Sequence, residues 1–121
     1  MKFVLPLPVN LANSRIHWAT KHKRKLEYWA ELDLLMMLKR IPPTPPEPFA
    51  SVSLAHTWYL YGTPMDEGNS YNRLKWVEDW LVTRGYLVDD KSDNVHLLRP
   101  VQYIDRKNQR LELILTVEPT K

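Results

Sequence analysis

The chain has 121 residues, 44% of them apolar and 26% charged, with a net charge of +3. That length suits one domain with a moderate core, which dimerisation would enlarge. It contains no cysteine, so disulfides, zinc–thiolate sites and thiol catalysis are excluded. No apolar run approaches the ~18–20 residues that a membrane span needs. Residues 1–6 are too short and too proline-broken for a secretory signal, and the absence of cysteine permits the cytoplasmic setting that is expected. The charges are segregated. Residues 1–26 carry Lys2, Arg15, Lys21, Lys23, Arg24 and Lys25 and no acid, whereas residues 66–93 hold 7 of the 14 acids. Such segregation fits a polyanion bound at one place and a cation at another, or two differently charged solvated faces.

In chain order, residues 2–8 place Phe3, Leu5 and Leu7 on one side of a short strand that Pro6 and Pro8 confine to a sheet edge. Residues 9–20 read as a loop, with Asn10, Asn13 and Ser14 favouring turns. Residues 21–40 lack Pro and Gly and are rich in Leu, Met, Lys and Glu, which predicts a helix. Residues 42–48 hold five prolines and form a stiff connector. Their PxxP spacing is also that of an SH3-type ligand, but the strand that follows at once favours a connector. Residues 49–61 alternate, with Val52, Leu54, His56, Trp58 and Leu60 on one face. After a loop over 62–69, a helix over 70–84 carries Leu74, Val77 and Leu81 as its stripe, and Gly85 suits the left-handed position beyond its end. Residues 95–104 read as an edge or bulged strand because of Pro100. Residues 110–117 close the chain as a strand with Leu111, Leu113, Leu115 and Val117 on one face. The order β-α-β-α-β-β predicts an α+β fold in one domain, 1–121, with a mainly antiparallel sheet on helices.

Two acidic pairs bracket the second helix: Asp66-Glu67 before it and Asp89-Asp90 after it. If the chain folds them together, Asp66, Glu67, Asp89 and Asp90 form an oxygen-donor site of the kind Mg²⁺ or Mn²⁺ prefers. Lys75 would then neutralise charge building up on a phosphate. The plainer reading makes both pairs turn signals and Lys75–Asp79 a solvated i,i+4 ion pair worth about 0.3–0.5 kcal/mol. The basic stretch Arg15, His17, Trp18, Lys21, Lys23, Arg24 and Lys25 mixes cations with aromatic rings. That mix suits phosphate contacts and stacking on an unpaired base.

The unit Lys75, Asp79, Leu81, Gly85, Tyr86, Asp89, Asp90 resembles the RusA family of phage-type Holliday junction resolvases. The likeness extends to the opening Leu5-Pro-Leu-Pro-Val-Asn10, the basic loop over 13–25 and the element order, and so covers most of the chain. It implies a Mg²⁺- or Mn²⁺-dependent, structure-selective endonuclease that resolves branched DNA in recombination and repair. It also implies a homodimer, no small-molecule substrate, and a bacterial cytoplasm with a phage or prophage source. Asp66, Lys75 and Asp90 become the catalytic residues. Trp76, Trp80, Tyr59 and Tyr61 are candidates for either the dimer interface or the monomer core. The family's Asp-x-Asp-Asn motif is altered here. It aligns either with Asn69-Ser70-Tyr71-Asn72, which loses both acids, or with Asp66-Glu67-Gly68-Asn69, which loses one. That loss keeps two other readings in play: a catalytically dead relative that binds branched DNA, and a phage-type module whose basic loop docks on an acidic protein.

Overall fold

The computed structural model describes residues 1–8, 18–91 and 93–119. The elements run β1 (Lys2–Leu5), α1 (Trp18–Met37), β2 (Val52–Leu60), α2 (Glu67–Thr83), β3 (Val95–Leu97), β4 (Val101–Ile104) and β5 (Arg110–Val117). This is the expected α+β architecture. β5 lies between β1 and β2 and is antiparallel to both; β3 and β4 follow one another along the far side of β2, parallel to it. β1 sits at the sheet edge, where the prolines after it cost no ladder bonds.

The strand expected over 95–104 is two strands, broken at residues 98–100. Pro100 has no N–H to give the ladder. The carbonyl of Leu98 is taken by the His56 ring at 2.8 Å, while its N–H still bonds Leu54 O at 2.9 Å. Val117, expected in the buried row of β5, is exposed at the end of its strand.

The period-2 pattern of β2 sends Val52, Leu54, His56, Trp58 and Leu60 into the interior. Phe3 and Leu5 from β1 and Leu111, Leu113 and Leu115 from β5 join them. The helices cover that face with Tyr28 and Leu32 from α1 and Leu74, Val77, Trp80 and Leu81 from α2. Each large apolar side chain so buried contributes about 1.5–3 kcal/mol. The opposite sheet face leaves Val4, Val101, Tyr103 and Ile114 exposed.

Polar ties fix the helices to each other. Asp33 of α1 accepts from Trp80 Nε1 and from Arg84 Nε and Nη2, all at 2.8 Å. Trp29 Nε1 donates to the carbonyl of Trp76 at 2.9 Å. α2 begins three residues before the expected Ser70, with Asp66 as its extended N-cap residue and Glu67 in the first turn, where the helix dipole favours an acid. It ends as expected at Gly85, φ +85°. There Tyr86 N–H bonds Leu81 O at 2.8 Å and Gly85 N–H bonds Val82 O at 3.1 Å, a Schellman turn.

Candidate functional site

The Schellman turn has a consequence beyond capping. It reverses the chain so that Tyr86 and Leu87 are buried and Leu87 bridges to Phe49. Phe49 N–H bonds Tyr86 O at 2.8 Å, and Val88 N–H bonds Phe49 O at 3.1 Å. The returning segment brings Asp90 to the flank of α2. Lys75 Nζ donates to Asp90 Oδ2 there. The same ammonium lies 3.5 Å from Asp79 one turn on, and Lys25 of α1 reaches Asp79 from the other side, also at 3.5 Å. Lys25 lies in turn over the Trp29 ring, 4.6 Å from its centroid.

Glu78 completes the group, since positions 75, 78 and 79 share a helix face. It is only 5% exposed. Burial raises its pKa to about 7, and the charges of Asp90 and Asp79 push the same way against the Lys75 cation. The hydrogen bond from Lys75 holds Asp90 below the usual carboxylate range, and that bond raises the lysine in return. The Glu78 and Asp90 carboxyls thus shift in opposite directions, a common property of functional sites.

The remaining expected acids lie elsewhere. Asp66 is exposed at the start of α2 and its side chain makes no capping bond. Glu67 accepts from Tyr71 Oη at 3.2 Å and pairs with Arg99 at 3.4 Å. At a rise of ~1.5 Å per residue, Glu67 and Lys75 are separated by about 12 Å along the helix. Asp89 faces its own turn, accepting from Lys91 N at 3.0 Å and Asn94 Nδ2 at 2.8 Å. These bonds depress its pKa, that from Asn94 most. The convergence of Asp66, Glu67, Asp89 and Asp90 is therefore not met. Among the described residues, no three His, Asp or Glu side chains form a group that could hold a metal ion. That acid set does not fit a shared cation in this arrangement.

Of the expected DNA contacts, Arg15 and His17 lie outside the described residues. Trp18 is exposed at the start of α1, Lys23 and Arg24 are exposed and Lys21 is half-buried. Lys23 and Arg24 line an open cleft of about 430 Å³ with Leu7, Tyr28, Glu27 and Glu31. Lys25 belongs to the acidic cluster instead. Of the interface candidates, Trp80 is fully buried in the core. Tyr59 stacks on Tyr103 at 5.5 Å, with Arg110 3.7 Å from its centroid. Tyr61 is exposed beside Arg106, and Trp76 packs against the core.

Two residues carry more than their sequence positions suggest. Arg73 donates from Nε at 2.9 Å and Nη2 at 2.6 Å to Pro8 O, tying the end of the first strand segment to α2. Glu78 falls four residues after Leu74 and one after Val77, inside the buried stripe. A charged residue at such a position is the signal that singles it out.

Neither family models nor curated proteins match this chain. No helix among the described residues is long and apolar enough to cross a membrane.

Proposed function

We propose that this chain is a RusA-like, structure-selective endonuclease that cuts branched DNA, Holliday junctions foremost, in recombination and repair, with Mg²⁺ or Mn²⁺ as cofactor. The observation that carries this reading is the pairing of Lys75 with Asp90 across the helix, Schellman turn and bridge. These are the residues on which the family resemblance rests, and they meet although 15 positions separate them. In this reading Lys75 would supply an ammonium to meet the negative charge that builds on phosphorus during hydrolysis. Lys21, Lys23 and Arg24 on α1 would hold the DNA backbone with salt-dependent affinity. A homodimer would offer two such clusters to the symmetry-related strands of a four-way junction. A bacterial cytoplasm and a phage or prophage source accompany this reading.

The test uses end-labelled four-way junctions, incubated with wild type and Asp90→Asn in Mg²⁺ or Mn²⁺ and read on a denaturing gel. Paired symmetric nicks from wild type alone are expected. Equal nicking by the variant would overturn the reading.

One observation favours a second reading, a protein that binds branched DNA without cutting it: Asp66 and Glu67 are held apart from Asp90. It requires a junction gel shift that weakens steeply with salt, together with intact strands under every metal tried.

A further inference from the structure

We propose that the outer face of the sheet, away from the helices, is a two-fold interface on which a second copy of this chain packs with its strands running the opposite way. Alternation along each strand sends every second side chain to this face. Register places Tyr103, Tyr59 and Arg110 in one row across the end where β2 stops. The middle of the face holds Val101, Val4 and Ile114 around the ion pair of Lys2 with Glu112. Val4, Val101, Tyr103 and Ile114 are 44–54% exposed. A sheet with one solvated face normally turns polar residues outward, and these apolar side chains depart from that pattern. An exposed apolar patch with a polar rim is the mark of a contact surface. The tyrosines and arginine at its end are the residue types that such contacts favour.

Charge selects the occupant and its orientation. Where β2 stops, Arg110 is held by Asp105 and Glu112, while Arg106 and Lys107 are exposed. Where β2 starts, Glu118 lies beside Ser51 and His96, and the turn before β3 carries Asp93 with Lys91. The first end is therefore net basic and the second net acidic. A two-fold axis across the strands sets each basic end on the partner's acidic end and lets the apolar middle meet itself. An axis along the strands would set the two basic ends together, and like charges across an interface are costly. Self-complementarity of this kind is what a two-fold contact requires. Nucleic acid fits less well, since Glu112 stands in the middle of the face and the acidic end would repel phosphate. The area also suits a second copy. Four strands abreast at ~4.8 Å, with the 9 residues of β2 at ~3.3 Å each, give about 600 Å² of flat face per copy. Stable interfaces take about 800 Å² from each partner, so this face, with its side-chain relief, suits a dimer that dissociates on dilution. The interface deepens the homodimer of the endonuclease reading; it rests on that homodimer and not on cleavage.

The experiment is sedimentation velocity of the full chain from low micromolar to near-millimolar concentration, with four-way junction nicking run in parallel. Wild type is compared with Ile114→Glu in the middle of the face and with Leu34→Glu on an exposed position of α1. Arg106→Glu and Glu118→Arg are measured singly and together. Wild type should pass reversibly from monomer to dimer, with a dissociation constant on the order of micromolar. Ile114→Glu brings two carboxylates together across the axis and should weaken the dimer at least about tenfold. Leu34→Glu should leave it unchanged. Each single charge reversal should weaken the dimer, and the double exchange should recover most of the loss. Positions 106 and 118 lie at opposite ends of the face, so that recovery arises only between two copies packed end over end. Circular dichroism and melting midpoints verify folding, and the charge exchange keeps the test decisive if Ile114→Glu does not fold. A wild type that stays monomeric, dissociation by Leu34→Glu in place of Ile114→Glu, or a double exchange no tighter than the single reversals would overturn the interface. Nicking by wild type would then leave the endonuclease reading intact. A dimer broken by Ile114→Glu and recovered by the double exchange, with no nicking of any junction, would support the interface and overturn the endonuclease reading.

Discussion

The two ends of α2 carry the same residue types in opposite circumstances. At the N-terminal end, Asp66 and Glu67 are exposed and Glu67 is partnered by Tyr71 and Arg99. Toward the other end, Glu78 is buried, while Asp79 and Asp90 crowd around Lys75. The first arrangement is that of an ordinary helix start, with exposed pairs worth little. The second retains a cost that an apolar residue at position 78 would avoid. Departures of this kind mark functional positions more often than structural ones. The difference shows that an acidic motif is read by the environment of each carboxyl and not by its count.

The strongest way to break the comparison is catalytic. Asp90→Asn should lower junction nicking on the order of 10³-fold, the scale of losing one well-placed electrostatic group. Asp66→Asn should change it little. A gel time course with both variants decides. If Asp66→Asn is the more damaging change, the functional end of the helix is the N-terminal one.

Stability against pH sharpens the same contrast. The Glu78 carboxyl has its pKa raised from 4.5 to about 7, chiefly by burial. The folded state therefore holds this proton more tightly than the unfolded chain. Its stabilising contribution is complete below about pH 4.5 and is lost as pH rises through 7. At about 1.4 kcal/mol per pH unit, Glu78→Gln should be more stable than wild type by about 2–3 kcal/mol at pH 8.5, and nearly equal to it at pH 4.5. Urea melts at the two pH values measure this. Glu67→Gln should stay within about 0.5 kcal/mol of wild type at both.

The N-terminal end answers pH with the opposite sign, through His56. Trp58 Nε1 donates to its Nδ1 at 2.9 Å and its Nε2 faces Leu98 O at 2.8 Å, an arrangement that suits the neutral ring protonated on Nε2. Tyr71 lies beside it, 5.6 Å between centroids. Burial lowers the His56 pKa, although the bond to Leu98 and the nearby Glu67 charge oppose that. A lowered value means stability present above the unfolded pKa of about 6.5 and lost as pH falls below it. The expected outcome is a urea midpoint that falls from pH 7 to pH 5, and His56→Gln should remove that component. An unchanged slope in the variant would place the acid sensitivity elsewhere.

Much of the scaffold was legible in the sequence because it follows from periodicity. The alternation from Val52 to Leu60 has one solution with a single buried face. Gly85 predicted its own left-handed conformation, since few other residues adopt it without strain. The site was less legible, for two physical reasons. A helix expected from Ser70 leaves residues 62–69 free to fold back toward Asp90; the helix that starts at Glu67 fixes the acids at its end instead. Glu78 stands next to Asp79, which reads as half of a solvated ion pair with Lys75, although the spacing of Glu78 from Leu74 puts it in the core stripe. Pro100 signalled an irregular edge but not the two short strands, because the donor that takes the Leu98 carbonyl is a histidine 42 positions away.

The smallest expected effect compares the far ends of the two helices. α1 closes on the same hydrogen-bond pattern as α2, with Arg40 N–H on Leu35 O at 2.9 Å and Lys39 N–H on Met36 O at 3.1 Å. The left-handed residue there is Lys39, φ 58°, where α2 has Gly85. A side chain in that region crowds the following carbonyl, which glycine avoids. Lys39→Gly should therefore raise stability by about 0.5–1 kcal/mol, the steric relief exceeding the extra entropy of glycine in the unfolded chain. Gly85→Ala should lower it by about 1 kcal/mol. A Cβ at position 85 would meet only Thr44 Cγ2 at 3.5 Å, an ordinary contact, so this cost belongs to the backbone. Thermal melts of the two variants measure both changes. Opposite signs would show that the turn delivering Asp90 to Lys75 depends on glycine for its conformation. Equal signs would instead attribute the effect to the Lys39 side chain.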